Sequence, residues 1–147
     1  MYTLDASIFV RDATPLDADH AVCHSLIAYL HTAGIPIIVP AIILPEVAGA
    51  LSRVYRDPLR ARLTAEAISA LPNVQVIPLD TTLAGVALEI AADRTLRGAD
   101  AVYVAVARQH ACTLISLDRE QRERGAAVVP TQTPAEALAD LERETPA

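Results

Sequence analysis

Apolar residues along this chain come in two rhythms. Short runs that are apolar throughout, "YTLD" (2–5), "PIIVP" (36–40), "VQVIPL" (74–79) and "CTLISLD" (112–118), read as strands buried on both faces. "GAAVVP" (125–130) reads as a fifth. Between them helical spacing takes over. Over 18–34, Val22, Leu26, Ile27 and Leu30 share one face, and Gly34 is placed to end the helix. The segment 43–56 stops at Asp57-Pro58, and 58–71 opens on Pro58 and stops before Pro72. Asp80 caps a helix running towards Arg97, and "GADAVYVAVARQH" (98–110) follows as another. Thr133, Pro134 and Glu136 form a capping box for a last helix over 133–143.

Strands that alternate with helices predict a three-layer α/β/α sandwich on a mostly parallel sheet of four to five strands. Without internal repeats, low-complexity tracts or a Gly/Ser linker, residues 1–147 read as a single domain. In such sheets ligands collect at the carboxyl ends of the strands. The residues at those ends therefore matter most.

Composition narrows the function. The chain is 52% apolar but only 3% aromatic, so its core is aliphatic and a base-stacking platform is not available. The formal charge is −6, unusual for a nucleic-acid binder, and all 12 basic residues are Arg. The lack of Lys removes two α/β classes with acids at strand ends, response-regulator receivers and haloacid-dehalogenase-type phosphatases, since both need one. "LDASIFVRDA" contains no Gly, which removes the Gly-rich dinucleotide turn. No secretory signal opens the sequence, and the most apolar run, 35–45, is too short for a membrane span and carries three prolines. Cys23 and Cys112 lack metal or redox spacing, in keeping with a reducing cytoplasm. His20, Cys23 and His24 have helical spacing but no nearby fourth ligand, and they read as structural.

Four acids interrupt apolar surroundings: Asp5 in "YTLDASIF", Glu46 in "IILPEVAG", Asp100 in "GADAVYV" and Asp118 in "LISLDRE". Asp5 and Asp118 close strands, Asp100 lies in a first helical turn, and Glu46 opens the helix after the second strand. Taken singly, Asp5, Asp100 and Asp118 have a structural explanation as helix caps or first-turn acids, and Glu46 as a solvated side chain. As a set they project to one edge of the sheet. Clustered carboxylates cannot all stay ionised without a cation nearby, and hard ions such as Mg²⁺ and Mn²⁺ take oxygen ligands.

On "LDASIFV", "VPAIILPEVAGAL", "GADAVYVAVA" and "TLISLD", the whole chain resembles the PIN domain, and within it the VapC-like toxins of toxin–antitoxin pairs. The resemblance implies a Mg²⁺- or Mn²⁺-dependent endoribonuclease. In it Asp5, Glu46, Asp100 and Asp118 would hold the metal, and Ser7 and Ser116 would orient carboxylates or the attacking water. It implies an RNA substrate and a cognate antitoxin. The amphipathic helices over 18–34 and 43–56 are candidate surfaces for the antitoxin or a second copy of the chain, although burial within the monomer is the commoner outcome. A catalytically silent binding module of the same fold is the alternative. Setting aside the four site acids leaves a charge of −2, so phosphate contacts fall to Arg. The candidates are Arg94, Arg97, Arg119, Arg122 and Arg124 beside the acids, and Arg53, Arg56, Arg60 and Arg62 as a second cluster.

Overall fold

The computed structural model describes residues 1–144. Five short strands, β1 (Tyr2–Leu4), β2 (Ile37–Pro40), β3 (Val74–Ile77), β4 (Thr113–Ile115) and β5 (Thr131–Gln132), pair in parallel in the order β3-β2-β1-β4-β5. The helices are α1 (Ala6–Asp12), α2 (His20–Thr32), α3 (Ile43–Tyr55), α4 (Pro58–Ser69), α5 (Thr81–Arg94), α6 (Gly98–Gln109), α7 (Arg119–Gly125) and α8 (Pro134–Glu144). They flank the sheet in the three-layer α/β/α arrangement that the alternating pattern predicts.

The all-apolar segment after Gly98 has a direct explanation. Helix α6 lies against β1, β2 and β4 and is flanked by α5 and α7, so every residue from Ala101 to Ala107 is buried. Position decides burial in the strands too. β2 is buried along its whole length, whereas β3 is an edge strand that exposes Gln75 and only partly buries its apolar residues.

Local signals hold at most helix ends. Asp80 accepts from the amide of Leu83, and Thr133 and Glu136 close the predicted capping box at α8. Gly34 adopts φ +64° just beyond α2, the left-handed conformation that glycine permits without penalty.

The fifth strand is not where the sequence places it. Residues 125–130 end α7 and form a turn, and the strand is Thr131–Gln132, paired with Leu114 and Ile115. The backbone hydrogen bonds supply the reason. The amides of Val128 and Val129 both turn back to the Gly125 carbonyl, and pairing with β4 begins only where the amide of Leu114 donates to the Pro130 carbonyl.

Candidate active site

Parallel pairing brings the carboxyl ends of β1 and β4 side by side, and the amide of Asp5 donates to the carbonyl of Ile115 at 2.9 Å. The chain leaves β1 towards β2 on one side and reaches β4 on the other, so β1 and β4 flank the topological switch point. Asp5 follows β1, Ser116 and Asp118 follow β4, Glu46 lies in the first turn of α3 and Asp100 in the first turn of α6.

Two of these acids carry structural duties at the same time. Asp5 Oδ2 accepts from the amide of Ser7 at 3.0 Å, capping α1, and Asp118 Oδ1 accepts from the amide of Gln121 at 3.0 Å, capping α7. The cap reading and the site reading are therefore compatible. The serines act otherwise than by holding carboxylates through their hydroxyls. Ser116 Oγ accepts from the amide of Asp118 at 3.0 Å, and Ser7 Oγ is buried without a partner.

The acids feel one another. Burial raises the Glu46 carboxyl above the ordinary glutamate range, opposed by a hydrogen bond from Tyr103 and reinforced by the charges of Asp5 and Asp100. Burial likewise raises Asp100. Arg97 opposes that shift, and the charges of Asp5 and Asp118 add to it. Tyr103 donates to Glu46 Oε2 at 2.5 Å. Arg97 bridges the other pair, its Nε 2.9 Å from Asp100 Oδ2 and its second terminal nitrogen 2.7 Å from Asp118 Oδ2.

Glu46 stands between two grooves. One, of about 470 Å³, is apolar, with Ile42, Leu79, Leu88 and Val102 in its walls. The other, of about 460 Å³, contains Ser7, Arg11 and Arg53.

The arrangement suits a divalent cation chemically. It offers only carboxylate and hydroxyl oxygens, two of the acids are raised by burial and mutual repulsion, and a buried hydroxyl beside Asp5 lacks a partner. As the side chains stand, no group of three or more His, Cys, Asp or Glu among the described residues is drawn together tightly enough to hold an ion. Tyr103 and Arg97 occupy the oxygens instead.

The sequence profile of the PIN domain matches residues 2–127. The chain belongs to the PIN domain family. PIN domains are nucleases and generally use divalent metal ions, so the coarse class of chemistry here is hydrolysis of nucleic acid. Among solved structures the PIN fold is shared with VapC20 of Mycobacterium tuberculosis, described as a sarcin-ricin loop cleaving toxin. The two are 24% identical, 86% of this chain and 95% of that one are covered, and the TM-score is 0.71. PAE2754 from Pyrobaculum aerophilum is 19% identical with a TM-score of 0.70, covering 97% and 95%. VapBC2 from Rickettsia felis, solved with a DNA fragment of its promoter, is 12% identical with a TM-score of 0.66, covering 90% and 97%. No curated protein matches the chain by sequence.

Two residues of this PIN domain site escape the sequence reading. Tyr103 lies three residues after Asp100 on the same helix face, a spacing that would have revealed it. Arg11 lines the groove beside Ser7, and only the fold brings it there. Among the proposed phosphate contacts, Arg119 pairs with Glu123 and Arg124 with Glu120, as the "REQRER" run allows, while Arg122 donates to the carbonyl of Ser116. Arg60 stacks over Tyr55 at 4.0 Å. Cys23 lies in the core, and its neighbours His20 and His24 contact the carbonyl of Arg11 and the carboxylate of Asp12.

Proposed function

We propose that this PIN domain, taken as one unit over residues 1–147, is a cytoplasmic Mg²⁺- or Mn²⁺-dependent endoribonuclease, the toxin of a VapBC-type pair. The reading rests on the convergence of four carboxylates at the switch point of a parallel sheet, two of them raised by burial. Asp5, Glu46, Asp100 and Asp118 would hold the cation. When bound, it supplies charge stabilisation at the phosphodiester and acidifies the attacking water. The chain's own part is positional. Tyr103 fixes Glu46, the caps at α1 and α7 fix Asp5 and Asp118, and Ser7 Oγ is free to hold a water beside Asp5. Arg11 and Arg53 supply phosphate-binding charge in the groove next to Glu46.

The experiment is cleavage of RNA by pure protein with Mg²⁺ or Mn²⁺, with and without EDTA. Asn caps a helix as well as Asp does, so Asp5→Asn keeps the fold and removes one ligand charge. It is expected to lower cleavage by at least about 100-fold, more than the loss of an outer-shell partner usually costs. Full activity in Asp5→Asn and Asp100→Asn, or no cleavage with any metal, sinks the nuclease reading and leaves a binding module.

The toxin assignment has its own test. Expression should arrest growth, and Asp5→Asn should relieve the arrest; harmless overexpression of an active nuclease would point to a housekeeping role. An antitoxin segment that combines apolar side chains with a basic residue fits the apolar groove and the neighbouring acids. Helices α2 and α3 bury their apolar faces within the chain, whereas Leu79 and Leu88 at this groove stay exposed. Leu88→Glu should abolish capture of the antitoxin while leaving RNA cleavage unchanged. Unimpaired capture would move the interface elsewhere.

A further inference from the structure

Arg97 is the one cation that grips two acids of the site at once among the described ion pairs. Its fork reaches Asp100 Oδ2 through Nε and Asp118 Oδ2 through a terminal nitrogen. The choice of atoms matters. Asp118 Oδ1 already accepts the capping bond from Gln121, so Oδ2 is the oxygen left to face the site, and Arg97 takes it.

The backbone around Arg97 is pinned while its side chain is not. Leu96 is buried, Thr95 is held at φ 54°, and Arg124 donates to the Thr95 carbonyl. The Arg97 side chain, by contrast, is 71% exposed, against 18% for Asp100 and 32% for Asp118. Arg97 itself makes no side-chain cap for α6. Among the described residues its guanidinium hydrogen-bonds to those two carboxylates alone, with the charge of Glu120 a weaker attraction, and exposed ion pairs are weak enough to be exchanged.

We infer that Arg97 is a built-in counter-ion of Asp100 and Asp118, which a divalent cation must displace from the same two Oδ2 atoms before it can bind. The inference rests on the proposed metal reading of the site. Arg97 then sets the apparent affinity for the cation. It neutralises the acids while they are without metal and swings outward, on a fixed backbone, once the cation arrives.

The test is calorimetric titration of the full chain with Mn²⁺, comparing wild type with Arg97→Gln, Arg97→Lys and Asp100→Asn. Removing both ion pairs should tighten Mn²⁺ binding by roughly 2- to 30-fold in Arg97→Gln. Arg97→Lys keeps the charge but cannot fork across two carboxylates, so its affinity should fall between the two. Asp100→Asn should bind far more weakly. Without metal, Arg97→Gln should melt below wild type, and saturating Mn²⁺ should close that gap. Equal Mn²⁺ affinity in wild type and both Arg97 variants, with Asp100→Asn impaired, overturns the competition and leaves the metal reading standing. Weaker binding in Arg97→Gln also overturns it, because Arg97 would then support the ion. Absence of saturable Mn²⁺ binding in every protein overturns the metal reading and the inference with it.

Discussion

Tyr103 and Glu46 show how one hydroxyl tunes a site. Burial pushes Glu46 up, and the bond from Tyr103 pulls it back. A metal ligand must be deprotonated, so cation affinity falls as pH drops through the pKa of Glu46. Tyr103→Phe keeps the ring in the core but removes the opposing bond, so that pKa rises further. The acid limb of Mn²⁺ affinity and of RNA cleavage should move to higher pH, with a loss of roughly 10-fold or more in affinity at a fixed pH on that limb. A profile that coincides with wild type would show that Glu46 is not among the ligands. Neither residue announces this pairing in sequence, since 57 positions separate them and only the fold brings α3 and α6 within reach of this hydrogen bond.

At the scale of elements, the same residue type does two different jobs. Asp80 and Asp118 both cap helices through a side-chain oxygen, yet Asp80 at the start of α5 takes part in no ion pair among the described residues, while Asp118 shares Arg97 with Asp100. Asp80→Ala should therefore cost about 1 kcal/mol of stability by denaturant melts and leave cleavage intact. Asp118→Asn should do the reverse, keeping the cap and losing activity. If Asp80→Ala proved as inactive as Asp118→Asn, the division between caps and site acids would be wrong. Helix caps were legible because they are written within three residues. The fifth strand was not, because "GAAVVP" is apolar in either state and the turn closed on the Gly125 carbonyl commits these backbone groups elsewhere.

For the whole molecule, the site is a liability that binding repairs. Glu46 and Asp100 take up protons more readily folded than unfolded, so the destabilisation they impose is absent at low pH and grows as pH rises through their raised values. Glu46→Gln preserves the acceptor for Tyr103 and removes the charge. It should raise the melting temperature of the metal-free protein at neutral pH by about 1–4 °C, an advantage that shrinks on acidification, while abolishing cleavage. Saturating Mn²⁺ should stabilise wild type far more than this variant, and EDTA should reverse the gain. A lower melting temperature in Glu46→Gln at neutral pH would contradict the sign. The sequence by itself determined the alternation of strands and helices, the caps, the aliphatic core and the four acids, because periodicity and capping are local. Only the tertiary structure decided that Arg97 bridges two of those acids, that Tyr103 holds a third and that an apolar groove adjoins them. Those contacts join residues that are far apart in the chain and adjacent only because parallel strands end at one edge.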